Sequence, residues 1–327
     1  DRYIFLPTEN GTTEFALIED MILTNANDLF PGLEIKDTLI YRITRDADLS
    51  VDEERDEDFL SAMQDVLQER EQSFPVRMEV NSESEELRNL LAKKYGIDDD
   101  DGYIIDGPLN LKAMFSLALT EGFDHLREER WKQVQPAALP EDGRFWNELK
   151  AADVLLHHPY ESFRPVIRLL QDAADDPQVI AIKMTLYRTS SSSPIIKALA
   201  RAAESGKQVV VLVELKARFD EQQNISWARR LEQAGVIVIF GIAHLKVHAK
   251  AMLIVRREST GIKRYLHLGT GNYNESTARL YTDFSLLTSR DDLCYEANLV
   301  FNSITGYSTV PELESLAMAP LGLKTKL

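Results

Sequence analysis

Lys246-Val247-His248-Ala249-Lys250-Ala251-Met252-Leu253-Ile254-Val255 is followed, after the polar run Arg256 to Arg264, by Tyr265-Leu266-His267-Leu268-Gly269-Thr270-Gly271-Asn272-Tyr273-Asn274. Two apolar, β-rich runs separated by a polar segment that contains a glycine predict a hairpin. A turn over Glu258 to Gly261 fixes the register, and carried outward that register opposes His248 to Gly271. Alternation along the first strand sends His248 and Lys250 to one face and Ala249 and Ala251 to the other.

Phosphoryl transfer is the chemistry that uses such a set. An imidazole is partly neutral near pH 7 and can attack phosphorus, and a lysine beside it offsets the charge on the equatorial oxygens. Gly269-Thr270-Gly271 lets backbone N–H groups approach an anion, while Asn272 and Asn274 add donors where a helix is predicted to start. A lone H-x-K on a strand is commonly surface or core decoration. The hairpin and the glycine turn together give it weight.

Ahead of the hairpin, strands and helices alternate. Strands are predicted at Val154 to His157, Val179 to Tyr187, Gln208 to Leu215 and Val236 to Phe240. Helices are predicted at Ser162 to Ala174, from Ser193-Pro194 to Gly206, and at Ile225 to Ala234. After it come a helix over Asn272 to Leu280, a strand over Asp283 to Leu287 and a helix from Asp292 to about Ile304. The prediction is an α/β domain with a mostly parallel mixed sheet, its antiparallel members supplied by the hairpin.

In such sheets ligands collect at the carboxyl ends of strands, and two ends carry arginines, Arg188 and Arg218. Guanidinium forks match phosphate oxygens, although Asp220 or Glu221 could equally hold Arg218 in a surface ion pair. His157-His158-Pro159 has no third ligand at metal-binding spacing and reads as a structural pair. His244 and His267 also read as structural.

The chain has 327 residues, room for two domains, and no apolar run long enough to span a membrane. Its start at Asp1-Arg2-Tyr3, without Met or a signal-peptide pattern, predicts a piece of a longer protein. The single cysteine, Cys294, excludes an internal disulfide and fits a reducing compartment. The net charge of −16 is uneven: residues 1–134 hold 32 acidic against 14 basic side chains, residues 135–327 hold 21 against 23. A near-neutral second part can still concentrate positive potential in one cleft.

The first part predicts an α+β domain. Its strands are Ile4 to Leu6, Thr38 to Thr44, Val76 to Val80 and Gly102 to Ile105. Its helices are Thr13 to Leu29, Asp56 to Arg70, one opened by a Ser82/Glu85 capping box and closed at Gly96, and one capped by Asn110. The acidic runs Asp52 to Asp58 and Asp98 to Asp101 read as solvated surface. Gln135-Pro136-Ala137-Ala138-Leu139-Pro140 is the linker candidate.

Asp153 to Phe163, Ala181 to Arg188, Val247-His248-Ala249-Lys250, Gly269 to Asn274 and Ala278 to Asp283 resemble bacterial polyphosphate kinases of the large, histidine-phosphorylating type. Arg42 to Asp48 and Gly107-Pro108-Leu109 resemble the same family's head domain. The resemblance covers essentially the whole chain. It implies a partial head domain at 1–134, a first catalytic domain similar to the phospholipase D fold at 135–315, and the start of a truncated second catalytic domain at 316–327.

Under that resemblance His248 matches the histidine that takes the γ-phosphate of ATP and passes it, reversibly, to inorganic polyphosphate. Tyr281 matches a nucleotide-contacting tyrosine, and Arg188 and Arg218 match the pair assigned to the magnesium–phosphate site. A guanidinium has no lone pair for a cation, so both arginines are read as gripping phosphate oxygens that also carry Mg²⁺. Lys250, Asn272 and Asn274 fall inside family motifs, and their phosphate-binding role is inferred from position. The implied partners are ATP or ADP, polyphosphate and further copies of the chain in a dimer or tetramer, with no nucleic acid. The implied location is the cytoplasm, with at most peripheral contact with the inner membrane.

The rival reading is a phospholipase D-like phosphodiesterase. Val255 occupies the place of the aspartate in that pattern, H-x-K-x₄-D, which disfavours it because the aspartate orients a histidine there. Met184 stands where the family resemblance predicts glutamine, and no function is attached to it.

Overall fold

The computed structural model describes residues 2–8, 11–46, 73–129, 131–139, 142, 144–187, 189, 193–214, 221–241, 245–306, 309 and 312–327. By its internal contacts the chain divides into one unit of residues 1–52 and 61–130 and another of 53–60 and 131–327. The helix predicted at Asp56 to Arg70, the acidic run from Asp52 to Asp58, Arg188, Arg218 and His244 all lie outside the described residues.

In the first unit β1 (Tyr3–Leu6) pairs antiparallel with β2 (Glu14–Leu17). β2 occupies the start of the helix predicted from Thr13, and only Ile18–Thr24 and Ala26–Leu29 are helical. Cross-strand packing decides it: the ring of Phe15 meets Tyr3 and Phe5 at centroid distances of 5.4 and 6.3 Å. A second sheet holds β3 (Tyr41–Arg45), β4 (Pro75–Val80) and β5 (Gly102–Ile104). Helix Glu85–Tyr95 packs on β4 around Met78, Val80 and Ile97 and stops at Gly96, whose φ of 66° suits glycine. Ser84 rather than Ser82 is its N-cap residue; the Ser82 hydroxyl instead accepts the Ser84 N–H at 3.1 Å. Asn110 makes no side-chain cap, and a 3₁₀ turn, Leu111–Ala113, leads into the short helix Met114–Ala118.

The second unit is built on a seven-stranded sheet of order β6-β12-β11-β10-β7-β8-β9. Its strands are β6 (Val154–His158), β7 (Val179–Leu186), β8 (Gln208–Val213), β9 (Ile237–Phe240), β10 (Lys250–Glu258), β11 (Gly261–Gly269) and β12 (Asp283–Thr288). β7, β8 and β9 are parallel neighbours, and β10 and β12 run against the other five. The sheet is therefore mixed, as expected from sequence, but not mostly parallel in its pairing: β12 joins the hairpin strand β10 as a second reversed member, so only β7–β8 and β8–β9 pair in parallel and the other four pairings are antiparallel. The hairpin register is the predicted one, from Glu258 opposite Gly261 to Lys250 opposite Gly269.

Both faces of the sheet are covered, which is why β8 is apolar throughout Val209–Val213 and buried along that length. Helices Arg164–Asp175, Pro194–Glu204 and Glu221–Gln233 follow β6, β7 and β8 in turn. Pro194 sits at the first helical position, and the Ser193 hydroxyl caps that helix by accepting the Ile195 N–H at 3.2 Å. Helix Asp291–Thr305 packs Cys294, Ala297 and Phe301 onto Ala251, Leu253 and Leu266. The hairpin is thus a central, rigid element, and its first residue adjoins the candidate nucleophile.

Candidate active site

Three strand ends meet at one edge of the sheet: the carboxyl ends of β7 and β8 and the amino end of the antiparallel β10. The Glu214 N–H donates to the Leu186 carbonyl at 2.9 Å. From helix Glu221–Gln233, the Asn224 amide donates to the carbonyls of Tyr187 (3.1 Å) and Glu214 (3.3 Å), and accepts the Trp227 indole N–H at 3.1 Å. One buried asparagine therefore ties both strand ends together. The Glu214 carboxylate, on a residue only 1% exposed, accepts the Val247 N–H at 2.8 Å. On the other side the Thr185 hydroxyl donates to the Ala249 carbonyl (2.7 Å) and accepts the Ala251 N–H (3.0 Å). The segment Val247 to Ala249 is pinned at both ends, and His248 lies between the pins.

His248 is exposed, and its ring stands edge-on to Tyr187 with centroids 5.2 Å apart and planes at 78°. Lys250, 5% exposed, donates from Nζ to the His248 carbonyl at 2.6 Å, and its ammonium sits 5.3 Å from the Tyr187 ring centroid. His248 is not itself on a strand, because β10 begins at Lys250. The side chain is held by the anchored backbone on either side of it, so strand alternation does not set its direction. Lys250 is brought to His248, and Lys250 pairs with Gly269, so the glycine segment begins directly across the ladder.

That segment is not a helix from Asn272. Only a 3₁₀ turn forms, Thr277–Arg279, and the Asn274 carboxamide oxygen accepts the N–H groups of Ser276 (3.0 Å) and Thr277 (3.2 Å). An asparagine bonded to its own turn competes with helix propagation. Asn272 keeps a buried Oδ1 without a partner. Tyr281 leaves the turn with its N–H on the Thr277 carbonyl at 3.0 Å and is 64% exposed. Tyr187, Glu214, Asn224 and Thr185 are the members that sequence reasoning did not single out.

Gly271 is set by a close approach. A Cβ there would lie 2.5 Å from Asp283 Oδ2 and 2.6 Å from its Cγ, and Thr270 holds the other carboxylate oxygen at 2.8 Å. Gly271→Ala should therefore destabilise the protein by about 1–3 kcal/mol through overpacking. A fall in the denaturant midpoint with unchanged slope would check it.

His157, His158 and His267 are structural in their placement. His158 is buried, with its ring nitrogens 2.9 Å from the Glu161 carbonyl and 2.9 Å from the Ser285 hydroxyl, and His157 stacks on Phe284 at 4.7 Å. His267 is buried with Nδ1 2.7 Å from the Tyr273 hydroxyl and Nε2 unpartnered. Burial, and then the neighbouring His158, push the His267 imidazole down from 6.5 to about 3. On unfolding, His267 would regain the ordinary affinity for a proton, so its contribution is complete above pH 6.5 and is lost as pH falls toward 3. Urea unfolding should show a midpoint falling between pH 7 and 4, and a flatter dependence in a folded His267→Gln variant.

Val255 lies inside β10 opposite Arg264 and Ala181, a ladder position in the middle of the sheet. Among the described residues no group of three or more His, Cys, Asp or Glu side chains could hold a metal ion.

This is a mixed α/β domain with a candidate nucleophile at the carboxyl edge of its parallel strands. Residues 144–310 match the model of the polyphosphate kinase C-terminal domain 1, and residues 1–117 that of the polyphosphate kinase middle domain. The chain belongs to the polyphosphate kinase family. It is 47% identical over 328 residues to a polyphosphate kinase of Bacillus anthracis, covering 99% of this chain and 47% of that one. It is also 47% identical over 323 residues to one of Rhodopirellula baltica, covering 98% and 38%. The crystal structure of polyphosphate kinase from Porphyromonas gingivalis superposes with a TM-score of 0.78 at 29% identity, over 99% of this chain and 47% of that one. The chain thus spans about half the length of these relatives or less.

Proposed function

We propose that this chain carries the phosphoryl-accepting half of an ATP:polyphosphate phosphotransferase, in which His248 attacks the γ-phosphate of ATP and then yields the group to polyphosphate. The observation that carries the reading is His248 itself, exposed between two backbone anchors with a buried lysine on its own carbonyl. Attack forms an N–P bond as the bond from γ-phosphorus to the ADP oxygen breaks; transfer reverses this, with a terminal polyphosphate oxygen as the new partner. Lys250 supplies fixed positive charge behind the imidazole. Tyr281 would contact the nucleotide, and Asn272 and Asn274 the phosphates.

Arg188 and Arg218 would hold the phosphate oxygens through which Mg²⁺ is bound. The ion would supply neutralising charge for phosphoryl transfer, while the two guanidinium groups grip and orient the phosphates. We further propose a head region at 1–134, a catalytic domain at 135–315, the beginning of another at 316–327, and assembly as a homo-oligomer. Among the described residues no helix is long and apolar enough to cross a membrane.

The test is γ-³²P-ATP labelling of the full-length protein. Acid-labile, alkali-stable label on His248, chased into polyphosphate, supports the mechanism. An active protein that never takes label there sinks it.

A further inference from the structure

On the sheet face turned away from Lys250 lies a group of cations that the proposed reaction does not use. Leu253 pairs with Lys183 of β7 on one side and with Leu266 of β11 on the other. Arg264 precedes Leu266 by two residues, so Lys183, Leu253, Leu266 and Arg264 share one face. Helix Asp291–Thr305 covers this face and sets Asn298 and Asn302 one turn apart above Lys183, whose Nζ donates to both carboxamide oxygens.

The hydrogen-bonding inventory is one-sided. Lys183 retains a third N–H, both asparagines retain their NH₂ groups, and Arg264 brings a guanidinium whose buried Nε has no acceptor. The acids of the covering helix are engaged elsewhere. Asp291 pairs with Lys263 at 3.0 Å and Asp292 with Arg290 at 2.5 Å, while Glu296 accepts the N–H groups of Glu314, Ser315 and Leu316. Burial and then the charge of Arg264 lower the Lys183 pKa, as expected of two cations with no anion between them. Asn302 is exposed, so the group opens to solvent. With both carboxamide oxygens turned to Lys183, the remaining donors and the positive charge, with no carboxylate bonded to them among the described residues, are complementary to an oxyanion.

We propose that Lys183, Arg264, Asn298 and Asn302 form a second phosphoryl-oxyanion site, taking orthophosphate or one unit of a polyphosphate chain, on the sheet face turned away from Lys250. It is independent of the role given to His248 and is tested by binding rather than turnover.

Thermal unfolding of the full-length protein is followed against orthophosphate and, separately, a short polyphosphate of defined length, for the parent, Arg264→Gln and Asn302→Asp. The parent should be stabilised. The concentration needed should rise roughly tenfold or more in both variants, the loss of a charge-assisted bond or the gain of a repelling carboxylate. A shift with orthophosphate identifies the free ion as sufficient; a shift with polyphosphate alone identifies a chain unit. Equal responses in parent and variants, or no response in the parent, overturn the proposal. Should Arg264→Gln fail to fold, Asn302→Asp on the exposed helix surface decides by itself.

Discussion

Replacing His248 with alanine in the full-length protein is expected to abolish the acid-labile phosphoryl label and to lower turnover by about 10⁴-fold or more, the scale on which removal of a nucleophile acts. Stability should change little, within roughly 0.5 kcal/mol, because the ring is exposed and its backbone is held by Thr185 and Glu214, which the substitution leaves in place. Polyphosphate binding should survive, since its oxygens are assigned to other donors. Label or turnover persisting in His248→Ala removes the covalent step. Loss of turnover and of polyphosphate binding together, in a folded protein, would instead make His248 a binding group.

Much of the fold around His248 is legible in sequence because it depends on local pattern. The hairpin register follows from a turn at Glu258 to Gly261 within the polar segment that separates two apolar runs, and Ser193-Pro194 marks a helix start by capping and φ restriction. Where the reading misses, a longer-range contact overrides the local one. Glu14 to Leu17 keep helical spacing, yet pairing with Tyr3–Leu6 makes them a strand. Asn272 to Leu280 look like a capped helix, but Asn274 is satisfied within a single turn.

The candidate site divides in the same way. His248 and Lys250 are visible because an imidazole and an ammonium two residues apart are chemically conspicuous. Glu214 is not, because its partner, the Val247 N–H, lies 33 residues away in sequence. The available signal was a carboxylate closing an otherwise apolar strand, where burial without a partner would be costly. Asn224 offers less, since an asparagine in a helix is ordinarily a surface residue.

Glu214→Ala should have the next largest effect. The substitution leaves the Val247 N–H without its acceptor in a buried place, a cost of about 1–3 kcal/mol. It also frees the backbone immediately before His248, so the nucleophile loses one of its two anchors. A displacement of about 1 Å at a reacting atom can lower a rate on the order of 10²-fold, so kcat should fall about that far while KM for ATP moves little. Glu214→Gln retains an oxygen able to accept the same N–H and should recover most of kcat. A uniform loss in both variants, following the fraction of protein folded, would reduce Glu214 to a stability residue; recovery by glutamine alone fixes it as the group that positions His248.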